Sequence, residues 1–188
     1  MKGRRFGIIA LSMATAIGIA VIICRAAGLR VNFTDSAPHG LWQVRAADAA
    51  AIKRGSLIEV CPPDSPVVRL MGAKGYLSAG NCDGSSVAPL LKPVSAVPGD
   101  TIRLRRGEPV TVNAVSLPNT QAMPAIPAWP EGDYIVQPGE LWLFSSYSSG
   151  SFDSRYFGPV ALTCVRGVAV PVAVNGNIAA MTTGVTQL

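Results

Sequence analysis

The chain has 188 residues, 49% of them hydrophobic, and a formal net charge of +5. That length suits one globular domain beside one apolar segment. The excess charge sits on Lys2, Arg4, Arg5, Arg25 and Arg30, and acids and bases balance from Val31 onward. This excludes the sustained basic face of a nucleic-acid-binding protein.

In chain order, the first predicted element is the uncharged run Phe6 to Cys24, 19 residues long. A bilayer core needs about 20 apolar residues. Lys2, Arg4 and Arg5 precede the run and place the N-terminus in the cytoplasm, although Arg25 and Arg30 weaken that bias. A cleaved signal peptide is the competing reading, with Ala26-Ala27-Gly28 as small residues near a cleavage site. The run exceeds the roughly 7–15 residues of a signal-peptide core, which favours a retained anchor. The expectation is a cytoplasmic N-terminus and single inner-membrane span over 1–27, with a periplasmic domain over 28–188.

Beyond the anchor, Arg45 to Lys53 is alanine-rich and reads as a short helix. Ser56 to Val60 reads as a strand, and Val67 to Leu77 as a helix broken at Gly72 and Gly75. Leu90 to Val97 is an apolar strand that ends at the turn Pro98-Gly99-Asp100. Thr101 to Leu104 and Val110 to Asn113 alternate in polarity as a hairpin does. Leu117 to Pro130 is a proline-rich loop. Asp133 to Gln137, Glu140 to Phe144, Val160 to Val165 and Val168 to Val174 read as further strands. The fold class is therefore mainly β with short helices, behind one N-terminal transmembrane helix.

Of the four cysteines, Cys61 and Cys82 lie in Pro- and Gly-rich surroundings and are the disulfide candidates for an oxidising compartment. Cys24 lies at the edge of the apolar run, and the pairing of Cys164 stays open. No metal-ligand spacing exists, His39 is the lone histidine, and no motif points to a cofactor.

Two segments carry candidate chemistry. Thr34 to Gly40 offers Ser36 as a hydroxyl close to the membrane, and Leu90 to Val94 places Lys92 inside an apolar strand. A serine nucleophile needs a base and an oxyanion donor. A lysine serves as that base once burial makes it neutral. On these residues alone Lys92 is equally a neutralised base or an edge lysine that guards a strand against aggregation. His39 stands three residues from Ser36 in a Pro/Gly turn, a spacing that seldom lets the two hydrogen-bond productively.

Ser36-Ala37-Pro38-His39-Gly40-Leu41-Trp42 resembles the nucleophile segment of the signal peptidase I (S26) family, in the form of its TraF-type conjugative-transfer branch. Lys92-Pro93-Val94 through Pro98-Gly99-Asp100 resembles the catalytic-lysine box. Ser149 to Val160, with Asp153-Ser154-Arg155, resembles the late box. The resemblance implies a signal-peptidase-like β fold in which Ser36 is the nucleophile and Lys92 the general base. Thr34 and the Ser36 N–H are the implied oxyanion donors, and Asp153 a third catalytic member. Asp100 and Arg155 are implied structural supports. Also implied are a membrane-embedded pilin precursor as substrate, with hydrolysis and cyclisation both open, and other conjugative transfer proteins as partners. A general leader peptidase and a non-enzymatic component of the conjugation apparatus are the alternatives.

Overall fold

The computed structural model describes residues 2–185. Met1 and the last three residues of the expected domain, 186–188, lie outside the described residues. Helix α1, Lys2–Ala26, carries apolar side chains on every face and buries none of them. Its Phe6–Ala26 stretch has a mean hydropathy of 2.5 over its most apolar window. Among the described residues it is the one helix long and apolar enough to cross a membrane. One N-terminal helix of this kind fits a single-pass anchor.

The rest is mostly β. The strands are β1 (Leu29–Asn32), β2 (His39–Arg45), β3 (Leu57–Val60), β4 (Leu90–Ala96), β5 (Thr101–Leu104) and β6 (Thr111–Val112). They continue as β7 (Val115–Ser116), β8 (Gly132–Ile135), β9 (Glu140–Leu143), β10 (Val160–Ala161) and β11 (Val165–Asn175). Two short helices interrupt them, α2 (Pro66–Ala73) and α3 (Ser154–Phe157). The larger sheet runs β1-β2-β11-β3-β4-β9-β10, and the smaller runs β7-β6-β5-β8. The expected hairpin is β5 with β6, in which Ile102 faces Val112. Pro138-Gly139 joins β8 to β9 without pairing them, because the two strands belong to different sheets.

Strand β11 bulges between Val165 and Gly167 and again between Pro171 and Ala173. Bulges add twist and bend, and the larger sheet curls. Ser145, two residues past β9, donates to the carbonyl of Ser36, just before β2, although β9 and β2 stand four places apart in the sheet. The main core gathers Ile58, Val60, Val94, Leu143, Tyr156 and Phe157. A second packs Ile102, Val112, Trp142 and Phe144 between the sheets. A third, Ala37, Trp42, Leu57, Ala169 and Met181, includes the residue next to Ser36.

The helix expected over Arg45 to Lys53 is absent. β2 runs on to Arg45, and only one 3-10 turn forms at Ala49–Ala51. The run lacks an apolar face to bury, and short helices depend on such a face. Helix α2 forms where a helix was expected but runs through Gly72 and ends at Ala73 rather than Leu77: Ser65 caps it, Pro66 begins it, and Gly75 with φ of 71° turns the chain away. The closing strand β11 passes through Gly167 unbroken, where two separate strands were expected. A Cβ at Gly167 would stand 2.4 Å from the Arg45 carbonyl oxygen, so glycine lets β2 and β11 approach.

Candidate active site

Lys92 sits in β4 opposite Ile58 of β3, on the same face as Val94, and only 2% of it is exposed. Its strand neighbour Pro93 points its nitrogen toward β9, since the adjacent Val94 N–H donates to Ser56 on the other side. Pairing with β9 begins only at Val94, so the missing N–H removes no ladder bond. The ammonium donates to Ser151 Oγ at 2.8 Å. Burial pushes its pKa down to about 8, with Asp153 pulling it back up and Arg155 pushing it further down. A lysine so placed is neutral about a tenth of the time at pH 7, far more than a solvated edge lysine.

Ser36 lies in the β1–β2 loop, half-buried, above the buried pair Ala37 and Pro38. Its hydroxyl is 3.1 Å from Thr34 Oγ1. The Ser36 carbonyl accepts from Ser145 Oγ at 3.0 Å, and among the described residues no group accepts from the Ser36 N–H. Gly40 closes the loop with φ of 130°. A Cβ there would stand 2.3 Å from the Ala173 carbonyl oxygen, so the glycine after His39 is a requirement of packing. His39 pairs with Asp35 at 3.0 Å, on the exposed side of the loop.

The segment Ser145 to Arg155 joins both groups. Ser145 holds Ser36 and Ser151 holds Lys92, while Asp153 and Arg155 fix the segment itself. The Asp153 carboxylate, fully buried, accepts from Arg155 Nε and Nη2, both at 2.8 Å, from the Arg155 N–H, and from the Ser145 N–H. Arg155 also donates to the carbonyls of Asn119, Gln121, Ser149 and Ser151. Ser154 Oγ accepts from the Leu143 N–H, which ties α3 to the end of β9. No hydrogen bond joins Ser36 to Lys92 among the described residues. Catalytic hydrogen bonds are often long before substrate arrives.

Asp100 accepts from Arg54, Asn113 and the Val97 N–H. Burial pushes its carboxyl up, but the Arg54, Val97 and Asn113 hydrogen bonds outweigh it and hold the group below the usual carboxylate range. None of these bonds goes to Ser36 or Lys92, so Asp100 braces the Pro98-Gly99-Asp100 turn. Cys61 and Cys82 form a disulfide that closes a loop around α2, while Cys24 and Cys164 are free. Tyr76, inside that loop, donates to the Gly150 carbonyl beside Ser151. Among the described residues no cluster of ligating side chains could hold a metal ion.

Residues 4–173 match the family model described as signal peptidase, peptidase S26. The chain belongs to the S26 signal peptidase family. Within that family it is 38% identical over 167 residues to a conjugal transfer protein TraF of Agrobacterium fabrum, covering 86% of this chain and 88% of the relative. It is 37% identical over 176 residues to a probable conjugal transfer protein TraF of Sinorhizobium fredii, covering 89% and 90%. A plasmid transfer protein TraF of Escherichia coli is 33% identical over 153 residues, covering 78% and 83%. A crystal structure of a signal peptidase I from Enterococcus faecalis aligns with a TM-score of 0.37 at 18% identity, over 66% of this chain and 98% of that one.

Three polar residues of this S26 site escape the sequence reading: Ser151, Ser145 and Asn32. Ser151 lies within the late box, but serines crowd that stretch and nothing local separates one from another. Asn32 had a usable signal, since an asparagine two residues before a threonine is the spacing of an Asx turn.

Proposed function

We propose that this chain is a membrane-anchored Ser–Lys endopeptidase that matures a conjugative pilin precursor at the periplasmic face of the inner membrane. The observation that carries this reading is the buried Lys92, its pKa lowered to about 8 and its side chain joined through one segment to the Ser36 loop. The conjugal transfer names of its relatives support the pilin substrate. The short distance in sequence from α1 to Ser36 suits a substrate that is itself embedded in the membrane.

Neutral Lys92 takes the Ser36 proton as Oγ bonds to the substrate carbonyl carbon. The Ser36 N–H and Thr34 Oγ1 face the oxyanion that develops. Collapse breaks the C–N bond, and the Lys92 ammonium returns its proton to the leaving amine. The acyl ester then yields to water, or to the substrate's own N-terminal amine, which closes a ring. Ser151 acts on the base through a direct hydrogen bond, Asp153 reaches the nucleophile only through Ser145, and Arg155 holds both in place. Asp100 is structural.

Mating assays test this assignment. Ser36→Ala and Lys92→Ala should each abolish plasmid transfer and leave pilin precursor uncut. Rescue of a leader-peptidase-depleted strain by the intact chain would point instead to a general signal peptidase. Transfer that survives both substitutions would point to a non-enzymatic component.

A further inference from the structure

The Ser36 loop is short, exposed on one side and free of helix or strand, and is held by Asn32 from within and by Ser145 and Trp42 from outside. Asn32 ends β1 and stands opposite Gly40 across the loop. Its Nδ2 donates to the carbonyls of Thr34 at 3.0 Å, Ala37 at 2.9 Å and Pro38 at 3.2 Å. Its Oδ1 accepts from the Thr34 N–H at 3.2 Å and from Thr34 Oγ1 at 2.8 Å. The amide orientation follows from these neighbours, since three carbonyls face one end and two donors the other.

We propose that Asn32 is the positioning residue of the nucleophile, its carboxamide holding the Thr34–Pro38 turn in the shape that presents the Ser36 hydroxyl and N–H to substrate. The inference rests on the reading of Ser36 as nucleophile. Three carbonyls turn inward to Asn32, while the Ser36 carbonyl turns the other way to Ser145. Among the described residues the Ser36 N–H has no acceptor, which leaves it available to an oxyanion.

Asn32 also sets the hydroxyl direction. Thr34 has one hydroxyl proton and gives it to Asn32 Oδ1, so in the 3.1 Å contact Ser36 is the donor and Thr34 the acceptor. Donation by Thr34 Oγ1 to an oxyanion moves its proton off Asn32 Oδ1, while the Thr34 N–H stays on Asn32 and keeps the turn in shape. No other side chain of this size supplies both donors and an acceptor. Aspartate lacks the donors and would set a charge against three carbonyls.

The test uses the full chain in detergent micelles, with Asn32→Asp, Asn32→Ala, Thr34→Ala and the Asn32→Ala/Thr34→Ala double variant. The probe is a quenched fluorogenic peptide with alanine at P1 and P3, and Ser36→Ala is the reference for the nucleophile itself. Asn32→Asp should lower kcat about 100-fold with KM nearly unchanged, the cost of a misplaced reacting group. The double variant should lose less than the sum of the single losses, since one residue acts through the other. Amide exchange over residues 33–40 should quicken while the melting temperature holds. Unchanged exchange there, or a kcat loss that only tracks the unfolded fraction, overturns the proposal whether or not the peptide is cut. Equal cleavage by the intact chain and Ser36→Ala overturns the nucleophile reading instead, and leaves the exchange readout to decide the role of Asn32.

Discussion

Lys92 Nζ donates to Ser151 Oγ at 2.8 Å, and both residues are buried to within 2% of completely. A buried amine with one partner has its direction set by that partner. The Ser151 backbone is in turn pinned by Arg155 and by the Ser148 carbonyl. The Lys92 ammonium is therefore aimed by the 149–160 segment, although it belongs to a strand of the larger sheet.

Removing that partner should cost turnover rather than binding. Ser151→Ala should lower kcat about 100-fold while KM stays within about twofold, and Ser151→Thr, which keeps the hydroxyl, should recover most of the loss. Cleavage kinetics of the three proteins decide the point.

The pH dependence follows from the Lys92 pKa of about 8. Only the neutral amine takes a proton, so kcat/KM should rise with pH through about 8 and then level. The same burial has a signature in stability. The folded pKa lies below the ordinary lysine value of 10.5, so below about 8 both states are protonated and the buried charge penalises folding in full. Between those values the unfolded chain holds the extra proton, and stability rises with pH. Lys92→Met should therefore melt at or above the intact protein at pH 6, by at most about 3 kcal/mol, and the gap should close as pH climbs toward 10. Melting curves at several pH values check it.

Breaking the Asp153–Arg155 pair should act on folding first. Asp153→Ala leaves a buried guanidinium without its carboxylate and should destabilise the domain by about 3–5 kcal/mol. Asp153→Ala/Arg155→Met should cost less than the two single changes summed, since no charge is then stranded. Denaturant titrations of the three variants in micelles measure this.

The Cys61–Cys82 disulfide closes a span of 21 residues. Loop-closure entropy gives such a link about 3 kcal/mol. Cys61→Ser/Cys82→Ser, or reduction of the intact chain, should lower the melting temperature accordingly. Cys164→Ser, which touches no disulfide, should change it by less than about 1 kcal/mol.

Much of this architecture was legible because its signals are local. A charge-free run of 19 residues announces α1, and Ser65-Pro66 with Gly75 brackets α2. The alternation around Arg106-Gly107-Glu108 announces the β5–β6 hairpin. The strands β1 and β2 were not legible. Their residues LRVN and HGLWQVR alternate weakly; β2 depends on pairing with β11, over a hundred residues away, and β1 on pairing with β2. The Arg45–Lys53 expectation failed because alanine propensity alone does not hold so short a helix without an apolar face to bury. The site divides in the same way. Ser36, Lys92 and Asp153 stand in segments with a pattern. Ser151 and Ser145 gain their roles only when the sheet curls and brings the end of β9 against the β1–β2 loop.

Mass spectrometry of a conjugative pilin precursor tests the central claim most directly, with the precursor co-expressed beside the intact chain, Ser36→Ala or Lys92→Ala. The account predicts a trimmed product from the intact chain and uncut precursor from both variants, and a trimmed product lighter by one water identifies ring closure. Trimming that persists in either variant would contradict a Ser36–Lys92 peptidase.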